Sequence, residues 1–218
     1  MTFYTPHQRE LQDRFDSRKL ADRLQQTIIT DTIQPEQHQP FIESRDFFFL
    51  STVSERGEPT VSHKGGGVGL VTVVDPKTLI FPSYDGNGMF MSMGNIAATA
   101  KIGMLFMDFE SPHRIRVQAT ATVSGNDPLI TVYPGAQLLV RAHVDQVFIN
   151  CARLIHTYQR VGTSKYVPDA SGHTPFASWK RIDAMQDVLP ASDQGRASKE
   201  GGLITINEYS HKVQNGES

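Results

Sequence analysis

The run "VSHKGGGVGL", from Val61 to Leu70, sets a lysine against three consecutive glycines between strand-like residues. Glycine inside a strand weakens it and usually marks a bulge or a place where something approaches the backbone closely. On a strand ending at Lys64, Ser62 and Lys64 point to one face, and Val61 and His63 to the other. A hydroxyl and an ammonium on one face, beside bare backbone, suit an anionic ligand. A solvent-facing strand end with a bulge has the same composition. A second piece is "FPSYDGNGMFMSM". Asp85-Gly86-Asn87-Gly88 reads as a tight loop, with Asn87 capping a helix that begins around Met89. The unpaired N–H groups of that first turn favour a phosphate, although an ordinary capped helix needs none. In the third piece, "RIRVQATA", Arg114 and Arg116 share a strand face. Two adjacent guanidiniums repel, and either a phosphate, electron-rich carbonyls or surface carboxylates would relieve them.

Other chemistries leave no trace. There is no phosphate loop of the Walker type and no Gly-x-Ser-x-Gly elbow, and "GGGVG" does not open a helix in a βαβ unit. The eight histidines show no metal-ligand spacing, so no metal is expected. Cys151 and His156 are five apart and would meet only loosely on a helix, so Cys151 is expected to be a buried structural cysteine. No residue qualifies as a general acid or base, and no catalytic residue is assigned.

Those pieces must be held by a scaffold. Thr5-Pro6 with Gln8 makes a capping box with proline at the first helical position. Leu11, Phe15, Leu20, Leu24 and Ile28 continue at helical spacing, predicting a helix that packs one apolar face on a larger body. A second helix is predicted over Glu36 to Ser44. From Phe47 the pattern becomes strands: "FFFLSTVS" with "PTVSHK", "LVTVVD" with "TLIFP", "KIGMLFMDF" with "RIRVQATATVS", and a last long strand "AQLLVRAHVDQVFIN". Helices are predicted at Met89 to Ala100 and Cys151 to Arg160, and a strand-like segment at 203–206. The fold class is therefore mainly β (α+β): a six- to seven-stranded antiparallel split barrel with flanking helices. The expected division is a helical extension at 1–34, the barrel at 35–160 and an extended tail at 161–218 packing on it.

The 218 residues carry 21 Lys and Arg against 23 Asp and Glu, which gives no electrostatic footprint for nucleic acid. One cysteine excludes an intrachain disulfide and fits a reducing compartment. The N-terminus lacks the apolar run of a signal peptide, and no stretch is long enough to span a bilayer. A cytoplasmic location is expected.

The order of these parts is itself informative. A helix leads into "FFFLSTVSERGEPTVSHKGG", then "TLIFPSYDGNGM", "NIAATAKIGMLF", "RIRVQATATV" and "VDQVFINCARLI". From about Phe41 to Tyr158 this resembles the pyridoxamine 5′-phosphate oxidase-like, FMN-binding split-barrel proteins, in their uncharacterised branch. The resemblance implies a homodimer with FMN at the subunit interface, and an oxidoreductase of unknown substrate. It places Thr60, Val61, Ser62, His63 and Lys64 along the flavin ring and phosphate, with Lys64 as the phosphate cation. It makes Phe81 and Pro82 a neighbouring wall, and closes Asn87, Gly88 and Met89 on the phosphate. Arg114 and Arg116 would lie towards the ring or substrate, with Asn150 and Trp179 contributed from the partner subunit. Relatives carry arginine or lysine where Gly88 and Met89 stand, and the vitamin B6 oxidases end in an arginine-rich signature absent after Trp179. Pyridoxamine phosphate oxidation itself is therefore not expected. The rival expectations are a haem (through His63 or His143) or deazaflavin ligand, a flavin-binding protein without turnover, and a structural dimer whose site has decayed.

Overall fold

The computed structural model describes residues 3–217. Helix α1 (Pro6–Arg14) starts with the expected capping box: Thr5 accepts from Gln8 N while the Gln8 side chain accepts from Thr5 N. The single long helix predicted from there is in fact two. Asp16 sits at φ 49°, a left-handed conformation unfavourable to a side chain, and the chain restarts as α2 (Arg18–Ile28). Neither helix buries a residue, so the predicted packing of their apolar face is not found: Phe15 is 70% exposed and Leu20 61%.

The chain then enters β1 (Ile29–Thr30) and a short α3 (Gln39–Glu43). This helix is narrower than the predicted Glu36 to Ser44 because Pro40 lies at its first turn, where proline starts a helix. Seven strands follow: β2 (Phe47–Val53), β3 (Pro59–Gly65), β4 (Thr72–Asp75), β5 (Thr78–Ser83), β6 (Lys101–Asp108), β7 (His113–Ser124) and β8 (Leu138–Ile149). Helix α4 (Met91–Thr99) interrupts them between β5 and β6. The sheet runs β3-β2-β6-β7-β8-β5-β4, every neighbour antiparallel, with β1 added to β8. The two ends of that path, β3 and β4, do not pair, which leaves the barrel split. The eighth strand, β1, is the one unforeseen; two residues carry no readable alternation.

Alternation decides the inside. Phe48, Leu50 and Thr52 of β2 are buried, as are Ile115, Val117, Ala119 and Ala121 of β7. Phe48 packs edge-on against Phe81 at 5.1 Å and stacks on Phe106 at 5.4 Å, a triad at the centre of the core. Burying each such ring contributes about 2–3 kcal/mol. On β8 the period breaks, since Val144 and Val147 are both buried. Gln118 faces Gln146 but Ala119 faces Val144, so Asp145 is an extra, bulged residue. Its carboxylate accepts from Thr120 Oγ1 at 2.9 Å.

After Ile149 the predicted helix over Cys151 to Arg160 is absent. Leu154 has φ 74°, and the backbone is spent elsewhere: Tyr158 N donates to Phe109 O at 3.0 Å and Arg160 N to Glu110 Oε1 at 3.1 Å. Bonds to the barrel replace the i→i−4 ladder. Cys151 is exposed, contrary to the expected buried cysteine. Further on, Phe176, Ile182, Leu189, Ala197 and Ile204 are buried. The strand foreseen at 203–206 reduces to one bridge, Ile182 to Ile204. Helix α5 (Ile206–Gln214) follows, headed by a Thr205–Glu208 capping box that "TINE" announces in the sequence.

A close backbone contact helps to seat the tail. Gly135 and Gly172 both have φ 82°, and their backbones press together so closely that a Cβ on Gly172 would lie 2.5 Å from Gly135 N. Among the described residues no helix is long and apolar enough to cross a membrane.

Candidate anion-binding cavity at the end of strand β3

Cross-strand registers show which face each candidate occupies. Ser62 lies opposite Leu50, which lies opposite Met104 and then Val117, a row that is buried from Leu50 inwards. His63 lies opposite Phe49, then Leu105, then Arg116, a row on the outer face. Ser62 and Lys64 therefore share the inward face of β3, as alternation predicts, while Val61, 69% exposed, and His63 point outward.

On the inward side, Ser62 and Lys64 meet the segment from Ser83 to Met93 around a cavity of about 230 Å³. Ser62 Oγ and Ser92 Oγ are 2.9 Å apart, which ties the strand to the first turn of α4. The ladder of α4 begins with Gly94 N donating to Phe90 O at 2.7 Å. The N–H groups of Met91, Ser92 and Met93 precede it and have no intrahelical acceptor. Asn87 does not cap this helix as foreseen. Phe90, at φ 48°, is the N-cap residue, and Asn87 Oδ1 instead accepts from Met89 N at 3.0 Å, tightening the loop. Asn87, Gly88 and Met89 nevertheless line the cavity.

Lys64 is the unusual member. It is half-buried, and among the described residues no carboxylate or hydrogen-bond partner meets its ammonium. Burial alone holds its pKa below the ordinary lysine range. An unpaired, partly desolvated cation beside a helix N-terminus and two hydroxyls is complementary to an anion. The glycines beside it serve the chain's own packing. A Cβ on Gly65 would lie 2.9 Å from His63 Cε1, and one on Gly66 2.7 Å from Leu70 Cδ1, whereas Gly67 has open space.

Several sequence candidates fall elsewhere. Thr60 Oγ1 is 2.8 Å from Thr52 Oγ1, and Asn95 Nδ2 donates to both hydroxyls, a network that binds α4 to β2 and β3. Phe81 and Pro82 are buried; Phe81 belongs to the central core, and Ser83 and Tyr84 form the cavity wall in their place. Position 81 on β5 is inward by the pleat, so core packing claims it. His63 stacks on Phe47 at 5.4 Å, with the sheet between it and Lys64. Arg114 and Arg116 also lie on the outer face, and Asn150 N donates to Arg114 O at 3.5 Å. Arg114 Nε and Asn150 Oδ1 are buried and unpartnered. Trp179 lines a separate cavity next door, in the tail. Ser92 is the functional candidate that pattern reading missed; its place in the first turn of a helix after a glycine loop was the available signal. No group of metal-ligating residues is found among the described residues.

No curated protein matches the chain by sequence. Solved structures resemble the chain at low identity. A Group A Streptococcus HupZ variant is 18% identical with a TM-score of 0.45, covering 54% of this chain and 99% of its own. A Lactobacillus delbrueckii protein named for pyridoxamine 5′-phosphate oxidase is 23% identical with a TM-score of 0.44, covering 55% and 95%. An FMN-binding protein from Syntrophomonas wolfei is 12% identical with a TM-score of 0.40, covering 65% and 97%. A family model described as pyridoxamine 5′-phosphate oxidase matches residues 34–195, most of the 218. Together with the split antiparallel barrel, that match shows that the chain belongs to the pyridoxamine 5′-phosphate oxidase family.

Proposed function

We propose that this protein binds flavin mononucleotide between two copies of the chain and acts as an oxidoreductase. The observation that carries the reading is Lys64, a half-buried ammonium without a counter-charge in a cavity that also holds the start of α4. A phosphate of about −1.5 to −2 charges would supply the missing partner. Ser62, Ser92 and the N–H groups of Met91 to Met93 would take its oxygens, in place of the basic residue absent at Gly88 and Met89.

The cavity is smaller than the roughly 300–1,000 Å³ of sites that enclose a whole ligand. It has room for a phosphate and part of its chain, and the ring must lie outside it. Arg114, Arg116 and Asn150 face away from Lys64 within one chain, so they would serve the same flavin only across a dimer. Bound there, a flavin supplies hydride or electron transfer, and the protein positions and tunes it.

The test is an absorbance and fluorescence titration with FMN of the wild type and of Lys64→Ala, with sedimentation to read the oligomeric state. Saturable binding that weakens at least tenfold in the variant, about 1.4 kcal/mol, supports the reading. Absence of binding to the wild type rejects it, and the same spectra would reveal a haem or deazaflavin instead.

A further inference from the structure

Between the tail and the barrel lies a second cavity of about 390 Å³, larger than the first and sharing the lining residues Tyr84 and Gly86 with it. Its walls are aromatic: Tyr84 on the barrel side, and Tyr166, Phe176, Trp179 and Tyr209 from the tail. Its charges are already matched. Lys180 Nζ lies 2.5 Å from Asp85 and 2.6 Å from Asp193, and Arg196 bonds Asp193 and Glu200 while its guanidinium covers the Phe176 ring at 4.6 Å. Each cation here already meets a carboxylate, so none is left to recruit an anion.

Its hydrogen-bond donors are not matched. Among the described residues the hydroxyls of Tyr84 and Tyr209 and the indole N–H of Trp179 have no side-chain hydrogen-bond partner. The Tyr166 hydroxyl, by contrast, is engaged with Ser178 Oγ at 3.3 Å. Burial raises the Tyr84 pKa, which keeps that phenol a neutral donor. Flat aromatic walls select a planar ring. Donors without a protein partner favour acceptor atoms on that ring, and a wall whose cations already meet carboxylates favours a neutral molecule.

We infer that the tail cavity is a binding site for a neutral, planar aromatic ligand bearing carbonyl acceptors, of the quinone type. As a site it stands on this cavity alone. As the place where the redox partner of a flavin waits, beside the Lys64 cavity, it rests on the function proposed above.

Trp179 is the only tryptophan in the chain, so its emission reports on this cavity without labelling. The experiment follows quenching of that emission by duroquinone, a fully substituted quinone that resists addition by the exposed Cys151 thiol, with N-acetyltryptophanamide as the collisional reference. The expected result is saturable quenching that weakens about two- to tenfold in Tyr84→Phe and in Tyr209→Phe. Each variant keeps its ring and removes one neutral donor, worth about 0.5–1.5 kcal/mol. Quenching that stays linear like the reference, or saturable quenching that neither variant weakens, overturns the inference. An FMN titration of the same protein separates the two readings. Saturable duroquinone quenching without FMN binding leaves the tail site standing and removes the flavin; FMN binding with only linear quenching does the reverse.

Discussion

Lys64 and Lys180 are both drawn out of water, yet their surroundings differ in every other respect. Lys180 is the more buried, and desolvation alone would lower its pKa, but the carboxylates of Asp193 and Asp85 outweigh that and leave it raised. Lys64 keeps more contact with solvent, meets no carboxylate among the described residues, and is lowered by burial alone. The paired lysine fastens one part of the chain to another, because Asp85 belongs to the loop beside the anion cavity and Asp193 to the tail. The unpaired lysine imposes a cost on the folded chain with no internal return, and the phosphate proposed above would balance it. A buried charge thus reads as structural or functional according to who balances it.

That contrast has measurable consequences. Lys180→Met should give the largest loss. It strands the buried carboxylate of Asp193, and breaking a buried pair costs about 3–5 kcal/mol, at the lower end here because Arg196 still reaches Asp193. Urea unfolding together with limited proteolysis of the tail would register it; an unchanged midpoint and an intact tail would show that the pair does not hold the tail. Next comes Gly172→Ala, which puts a Cβ against Gly135 N and holds a non-glycine residue at φ 82°. A destabilisation of about 1–3 kcal/mol is expected, with the tail more readily cleaved while the barrel keeps its circular dichroism.

Lys64→Met separates the two lysines by sign. FMN affinity should fall at least tenfold, about 1.4 kcal/mol, while the stability of the ligand-free protein holds or rises. A loss of stability comparable with that of Lys180→Met would mean that Lys64 is structural after all. The smallest effect is in pH. The folded pKa of Lys64 lies below its unfolded value, so the unfolded chain binds more protons between the two, and stability rises with pH across that window. The folded pKa of Lys180 lies above its unfolded value near 10.5, so its contribution is fully present below that pH and is lost as pH rises through the raised value. In alkaline unfolding series, Lys64→Met should remove the rise and Lys180→Met the fall. Parallel curves for the wild type and both variants would contradict both assignments.

Much of the scaffold was legible because it obeys simple periods. The alternation of β2, β3 and β7 located the strands, and it placed Ser62 and Lys64 on one face of β3 without any knowledge of the partner strands. Thr5-Pro6 with Gln8 announced α1 correctly, and Thr205 with Glu208 carried the same signal for α5. Where period and environment disagree, reading failed. The run "CARLIHTYQR" has helical composition, but its backbone bonds are taken by Phe109 and Glu110 on the barrel. Phe81 and Pro82 lie near the cavity in sequence, yet the pleat sends Phe81 to the central core and Pro82 is buried on the opposite face.

The amino-acid sequence by itself determined the strand order along the chain, the faces of β3, the family, and the presence of a lysine beside a run of glycines. Those are local properties, written in two- and four-residue spacings. Only the tertiary structure decided that Lys64 has no counter-charge among the described residues while Lys180 has two. The partners of Lys180 are 95 and 13 residues away in the chain. It also decided that Arg114 and Arg116 lie across the sheet from Lys64, and that a tail rich in glycine and proline closes an aromatic cavity beside it. Charge balance and enclosure depend on residues distant in the chain, and no local spacing encodes them.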